Sequence, residues 1–180
     1  MIAERLLRRF GSIAAITDAP EIELRQAALY GERWLDSFLA VRNLIQLGMK
    51  EEVVQTRLDP ADRRLHRYLK AVMGPLKRER MLAILGDAAG FVIGEEIVGE
   101  GTSDHIEISQ RDIFAIALKL EARRLILVHN HPSGSAEPSE DDIRTNRAIA
   151  DQATRLGIVL VDHLVVSRRK VVSMRERGYL

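Results

Sequence analysis

The sequence contains no cysteine, and this absence removes several kinds of chemistry at once. A chain without cysteine has no disulfide bond, no thiolate metal ligand and no cysteine nucleophile. Histidine and carboxylate side chains remain as metal ligands, and such a donor set suits zinc. The lack of cysteine also fits a protein of a reducing compartment.

Long apolar runs and a strong net charge are missing as well. No apolar stretch reaches the roughly 20 residues that span a bilayer, and the amphipathic N-terminus lacks the apolar core of a signal peptide. We therefore expect a cytoplasmic protein with no membrane partner. The net charge is only +1, from 27 basic and 26 acidic residues, so the chain as a whole has no strong attraction for nucleic acid.

By composition the chain falls into three regions. Residues 1–55 carry apolar side chains at helical spacing, which predicts three or four short helices. Residues 56–75 are rich in arginine and contain an Asp-Pro pair, which predicts a linker leading into a further short helix. Residues 76–180 contain the short apolar runs and the turn residues that are typical of strands.

Capping and turn residues mark the predicted helix boundaries. Asp18 is predicted as an N-cap, with Pro20 at the first position of the helix that follows. Gly31 and Gly48 are the predicted helix breaks of the first region. Two further N-caps begin helices in the last region: Ser109, with a helix to about Arg123, and Ser139, with a helix to about Leu156.

Strands and helices alternate irregularly in residues 76–180. This pattern indicates an α/β (α+β) fold in which a mixed sheet is flanked by helices. A continuous apolar run over 125–128 predicts a central strand, because both of its faces must be buried. The other predicted strands cover 81–85, 91–98, 105–108, 158–161, 164–166 and 170–173, with turns at 87–90 and 99–102.

The segment 129–142 contains the residues with the clearest chemical meaning. His129 and His131 follow the predicted central strand, and residues two apart on an extended chain point the same way. A loop rich in proline and glycine then returns, and Asp142 lies in the first turn of the next helix. Two imidazoles and one carboxylate leave the fourth tetrahedral position open for water, as in catalytic zinc sites. Zinc in such a site lowers the pKa of bound water to about 7 and polarises a carbonyl.

Simpler readings of the same residues exist. A His-x-His pair alone is a weak sign of metal, and a pair such as Ser139 and Asp142, taken alone, is more often a plain capping box. The two histidines and the aspartate could also form a polar network without metal. Their combination at the junction of a strand and a loop favours the metal site.

The spacing of these residues resembles a known signature. His-x-His, seven residues, Ser, two residues and Asp is similar to the pattern of the JAMM, or MPN, metallopeptidases. The string His129-Asn-His-Pro-Ser-Gly134 resembles the RadC family in particular, and the resemblance covers roughly residues 76–180. Neighbouring segments match as well: Gly101-Thr102, Arg111–Ile113, Leu125–His129, Asp162-His163 and Arg175–Leu180. The resemblance implies the cytidine-deaminase-like JAMM/MPN fold.

It also implies a role for each residue of the signature. His129, His131 and Asp142 would be the ligands of a Zn²⁺ ion, and Ser139 would steady the oxyanion of the tetrahedral intermediate. The general base of these enzymes is a glutamate just before the first core strand, and Glu79 occupies that position.

Two points bear on the choice of base and substrate. Glu95, Glu96 and Glu100 are also close in sequence to the first strands, and they remain alternatives to Glu79. Asn130 stands where deubiquitinating JAMM members usually have serine or threonine. RadC members also have asparagine there, so ubiquitin-type isopeptide substrates gain no support.

The N-terminal region bears on DNA binding. RadC proteins commonly begin with a helix-hairpin-helix-like segment, and residues 6–13 resemble its opening. The hairpin itself has only Gly31, followed by the negative charge of Glu32, so the backbone site for phosphate is degraded. DNA could still be contacted by three arginines of the first predicted helix, Arg5, Arg8 and Arg9, and by the basic run 57–80.

We therefore expect a zinc-dependent metallohydrolase, a metallopeptidase of the RadC type acting on a peptide or protein. The alternative is a DNA-repair-associated protein that binds DNA and has a structural or vestigial zinc site. A non-catalytic scaffold is the third reading, and the intact set of metal ligands argues against it.

Overall fold

The computed structural model describes residues 2–28, 32–54, 56–102 and 109–180. Its helices are α1 Ile2–Phe10, α2 Ile13–Thr17, α3 Glu21–Ala28, α4 Glu32–Val54, α5 Arg63–Val72, α6 Gln110–Lys119 and α7 Glu140–Arg155. Its strands are β1 Arg80–Gly86, β2 Val92–Glu100, β3 Arg124–Asn130, β4 Val159–Val166 and β5 Val171–Ser173. Among the residues described, no helix is both long and apolar enough to cross a membrane.

The described strands form one mixed sheet in the order β2-β1-β3-β4-β5. The pair β3–β4 is parallel, and the other three pairs are antiparallel. The strand predicted as central, β3, lies in the middle of the sheet. The prediction of an α+β fold with a mixed sheet and flanking helices is confirmed.

The two faces of β3 are buried in two different apolar cores. Leu125 and Leu127 pack with apolar side chains of α6 and α7, whereas Ile126 and Val128 pack with those of α4 and α5. All four side chains are completely buried. Full burial of an aliphatic side chain contributes about 1.5–3 kcal/mol, so β3 is firmly held and its carboxyl end is a rigid platform.

The N-terminal helices have an apolar cluster of their own. It contains Leu6, Ile16, Leu24, Leu35 and Leu39, which come from α1 to α4. The division of the chain at residues 55 and 75 stays a prediction. The last turns of α4 also contribute to the core beneath the sheet, which contains Val53.

Two boundaries predicted in the N-terminal region are wrong. Helix α4 is 23 residues long and continues through Gly48, where a break was expected. A glycine in a helix interior costs only about 1 kcal/mol, and the packing of α4 against α3 and α5 outweighs that cost. Asp18 is the C-cap of α2 and not the N-cap of the next helix, because its N–H donates to Ala14 O and Ile16 O. The predicted break at Gly31 lies outside the described residues.

Three boundaries in the C-terminal region also differ from expectation. Helix α6 ends at Lys119, four residues early, and the chain turns through Glu121, whose φ is 55°. The two strands predicted over 158–161 and 164–166 are one strand, β4, since Asp162 and His163 are buried within the sheet. The turn expected at 99–102 begins later, because β2 continues to Glu100. The strand expected at 105–108 lies outside the described residues.

Two glycines give a matched test of this packing. Gly48 has open space around the position of a Cβ atom, so Gly48→Ala should stabilise the protein by about 0.5–1 kcal/mol. At Gly74 a Cβ would lie 2.6 Å from Lys70 O and 3.1 Å from Arg168 Cα, so Gly74→Ala should destabilise it by about 1–3 kcal/mol. Chemical denaturation measures both changes. A destabilising Gly48→Ala would contradict the uninterrupted helix α4.

Candidate metal centre

The end of the central strand positions the two histidines. His129 pairs with Met81 on β1 and with Val165 on β4, and its side chain is completely buried. His131 continues the extended path, because its N–H donates to Val166 O at 2.9 Å. The two imidazoles therefore point to the same side, as the spacing of the histidines predicts, and their Nε2 atoms lie 2.9 Å apart.

The capping box of α7 positions the carboxylate. Ser139 is the N-cap, and its Oγ accepts the N–H of Asp142 at 3.1 Å. In return, the Asp142 carboxylate accepts the N–H of Ser139 at 2.7 Å and its hydroxyl at 2.6 Å. The carboxylate is thus held at the helix N-terminus and turned toward the histidines. The capping reading and the ligand reading of these residues are both compatible with the structure.

The distances among the three side chains fit a bound metal. Asp142 Oδ1 lies 3.2 Å from His129 Nε2, and Asp142 Oδ2 lies 3.4 Å from His131 Nε2. Tetrahedral zinc, with bonds of about 2.0–2.1 Å, places its ligand atoms about 3.4 Å apart. His129, His131 and Asp142 could therefore hold a metal ion with small adjustments.

The hydrogen bond at the far side of His131 defines which ring nitrogen faces the group. His131 Nδ1 lies 3.1 Å from Ser135 O, and a carbonyl oxygen only accepts. Nδ1 therefore carries a proton, and when the ring is neutral Nε2 keeps the lone pair with which it could bind a metal ion. This is the usual support of a histidine that binds metal.

The charges in the group call for a cation. Burial alone would raise the pKa of Asp142, but the imidazoles of His129 and His131, whose Nε2 atoms lie 3.2 and 3.4 Å from its oxygens, outweigh burial, and the pKa lies well below its ordinary value. The hydrogen bond to Asp142 raises the pKa of His131, and the charges of Asp142 and Glu79 add to the effect against burial. An ionised carboxylate beside two imidazole nitrogens is stable only with a proton or a metal ion among them.

Glu79 lies in the segment just before β1, and the start of β1 pairs with the end of β3, where Met81 is opposite His129. Its N–H donates to Thr102 O at 2.6 Å, and its carbonyl accepts the N–H of Gly101 at 2.9 Å. The negative charge of Glu79 raises the pKa of His131. The carboxylates proposed as alternatives have other partners or lie apart: Glu95 bonds Tyr68 and Lys50, Glu100 pairs with Arg80, and Glu96 is exposed.

Asn130 ties the Glu79 segment to the histidines. Its Oδ1 accepts the N–H of Arg80 at 2.9 Å, and its Nδ2 donates to Arg78 O at 3.1 Å. Both bonds go to neighbours of Glu79 in the chain. The residue between the two histidines thus fixes the backbone that carries the candidate base, a use that the spacing alone does not reveal.

Two buried polar residues near the group were not predicted as part of it. His163 lies 2.8 Å from His129 Nδ1, and Asn146 lies 3.1 Å from His163. Asn146 sits on α7 in line with the buried Ile149 and Ala153. A polar residue on the apolar face of a helix is the sequence signal that could have revealed it.

Comparison with known proteins gives a consistent family match. A family model described as RadC-like JAB domain matches residues 60–179. The chain is 34% identical over 179 residues to a UPF0758 protein of Rhodobacter capsulatus, covering 99% of this chain and 84% of that protein. It is 31% identical to a UPF0758 protein of Vibrio atlanticus and 32% identical to UPF0758 protein VV0285 of Vibrio vulnificus, each over 99% of this chain and 80% of the relative.

Metal content tests the group directly. After reconstitution with zinc and removal of the excess, we expect about one ion per chain in the parent and almost none in His129→Ala, because one of the three ligands is lost. Atomic absorption measures the content. His66→Ala is the control, since His66 bonds Pro60 O and lies outside the group. Equal zinc in the His129 variant and the parent would contradict the site.

Proposed function

Because the chain belongs to the family of RadC-like JAB domains, we propose that it is a zinc-dependent hydrolase that cleaves an amide bond in a peptide or protein. The observation that carries the proposal is the convergence of His129, His131 and Asp142, with a carboxylate, Glu79, beside them. A structural zinc site has four protein ligands, whereas three protein ligands leave one position for water or substrate.

The donor set supports zinc as the metal. Two imidazoles and one carboxylate suit zinc better than calcium or magnesium, which prefer oxygen ligands alone. Bound zinc would supply a Lewis acid that polarises the scissile carbonyl and lowers the pKa of a water molecule to about 7.

Glu79 is proposed as the general base. A carboxylate at this place would accept a proton from the attacking water and deliver it to the leaving amine, so the same group acts as base and then as acid. The bonds of its backbone to Thr102 and Gly101, and those of Asn130 to its neighbours, fix the position from which it acts. A fixed position is important because a catalytic group misplaced by about 1 Å lowers the reaction rate by up to about 100-fold.

Ser139 is proposed to stabilise the oxyanion. Its hydroxyl donates to Asp142 Oδ2 and accepts the Asp142 N–H, so it lies at the edge of the ligand group. Rotation about its Cα–Cβ bond would turn the O–H toward a substrate oxygen, while the Ser139 N–H keeps its bond to the carboxylate. One donor of this kind contributes about 100- to 1,000-fold to the rate.

The substitution Glu79→Gln separates chemistry from metal binding. We expect it to keep the zinc content of the parent and to lower kcat by about 100- to 10,000-fold, since proton transfer by a positioned base contributes that much. Hydrolysis of a mixed fluorogenic peptide library provides the assay. Glu96→Gln, on the exposed side of β2, should leave the activity unchanged. Full turnover in Glu79→Gln would remove this role from Glu79.

DNA binding remains the alternative, and one observation favours it. Arg5, Arg8 and Arg9 are exposed on the single helix α1. If this surface binds phosphate, the double variant Arg8→Glu/Arg9→Glu should abolish a DNA affinity that falls steeply with salt in the parent. Fluorescence anisotropy with a labelled duplex measures it. No salt-dependent binding by the parent, together with peptide hydrolysis, would leave the hydrolase as the function.

A further inference from the structure

A chain of buried hydrogen bonds runs from the candidate metal ligand to the C-terminal segment. His129 Nδ1 lies 2.8 Å from His163 Nε2, and His163 Nδ1 lies 3.1 Å from Asn146 Oδ1. Asn146 Nδ2 then donates to Tyr179 O at 3.1 Å. The three side chains are at most 1% exposed, so water does not compete for these bonds.

The direction of every bond in this chain follows from its last member. The Tyr179 carbonyl can only accept, so the amide of Asn146 must present its nitrogen there and its oxygen to His163. That oxygen also only accepts, so His163 carries its proton on Nδ1. His163 is only 1% exposed and its Nδ1 bonds an uncharged amide. A buried charge without an ionised partner is costly, so the ring is neutral and its Nε2 is an acceptor.

These bond directions determine the tautomer of His129, the candidate metal ligand. Since His163 Nε2 accepts, His129 Nδ1 must be the donor of the bond between them. The neutral His129 ring then has no proton on Nε2, so this nitrogen can bind a cation or accept the Nε2 proton of a protonated His131, 2.9 Å away. An imidazole in the other tautomer would place an N–H there and could not bind a cation.

We propose that Asn146 and His163 are positioning residues that hold His129 in the tautomer a metal ligand requires, with the Tyr179 carbonyl setting the direction of the chain. The inference rests on the proposed metal site and not on hydrolysis. Helix α7 supplies both Asp142 and Asn146, which are four residues apart and therefore on one side of the helix. A single helix thus brings a ligand and the support of another ligand.

The C-terminal segment is itself fixed, so its carbonyl has a defined place. Met174 N–H donates to His163 O at 2.9 Å, and Tyr179 N–H donates to Met174 O at 2.9 Å. Arg175 N–H donates to Asp162 Oδ1 at 3.1 Å. These bonds join the segment to the same part of β4 that carries His163. The Tyr179 carbonyl and the His163 ring therefore keep fixed positions relative to each other.

The test removes the amide without touching a ligand. Asn146→Leu leaves His163 free to carry its proton on Nε2 and donate it to His129, which would place the His129 proton on the metal side. We expect zinc affinity, measured by competition with a chromophoric chelator, to fall about 10- to 100-fold, the usual loss when such support is removed. Nitrogen-15 NMR of the metal-free protein should show His129 protonated on Nδ1 in the parent and a mixture of tautomers in the variant.

Two controls distinguish an effect on the direction of these hydrogen bonds from an effect on the stability of the protein. Ile149→Ala removes packing one turn along the same face of α7, and it should lower the melting temperature while leaving zinc affinity and the His129 tautomer unchanged. His163→Gln retains an acceptor for His129 and should keep more affinity than His163→Leu, which has none. This second pair gives the answer if Asn146→Leu does not fold.

Either of two results would overturn the inference: parent-like affinity and tautomer in Asn146→Leu, or an equal loss of affinity in Ile149→Ala. Absence of zinc binding in the parent would instead count against the proposed function. The NMR comparison would still decide the inference in that case, because it reads the ring of His129 in the metal-free protein.

Discussion

The geometry of the candidate site depends on the burial of β3 on both faces. Two apolar cores hold alternate side chains of this strand, and the strand ends where His129 begins the ligand group. A ligand on a strand so held loses little freedom when it binds a cation. The free energy of binding is then not reduced by the ordering of the ligand, which is the advantage of preorganisation. His131 shares the advantage, because its backbone is bonded to β4.

Asp142 is also preorganised by its place in the fold. A carboxylate in the first turn of a helix is stabilised by the unpaired N–H groups and by the helix dipole, so the position favours the ionised form. The capping box uses that preference to begin α7, and the same charge could serve as a ligand in the candidate metal group. Because the carboxylate has two oxygens, the N–H of Ser139 can bond Oδ2 while Oδ1 faces His129. Stability of the helix and affinity for a cation are therefore not in competition here.

The sequence is informative wherever one local signal dominates. The continuous apolar run 125–128, the Ser139 cap and the i, i+2 spacing of the histidines each predict what the structure contains. Prediction is wrong where tertiary contacts outweigh a local signal, as at Gly48, where packing carries α4 past the glycine. Asn146 escapes prediction for another reason. Its partners, His163 and the carbonyl of Tyr179, are distant in sequence and become neighbours through the packing of α7 against β4 and the bond of Met174 to His163.

The candidate base and the candidate ligands come from distant parts of the chain, and the side chain of Asn130 connects them. The ligands belong to β3 and α7, whereas Glu79 precedes β1, which is antiparallel to β3. The start of β1 therefore lies beside the end of β3, and only the exact path of the backbone remains to be set. A side-chain amide sets it, since it has both a donor and an acceptor and can bond Arg78 and Arg80 on either side of Glu79. A hydroxyl at that position has a single proton to donate and a shorter reach. An asparagine between the two histidines is thus suited to holding the candidate base through the backbone of a preceding segment.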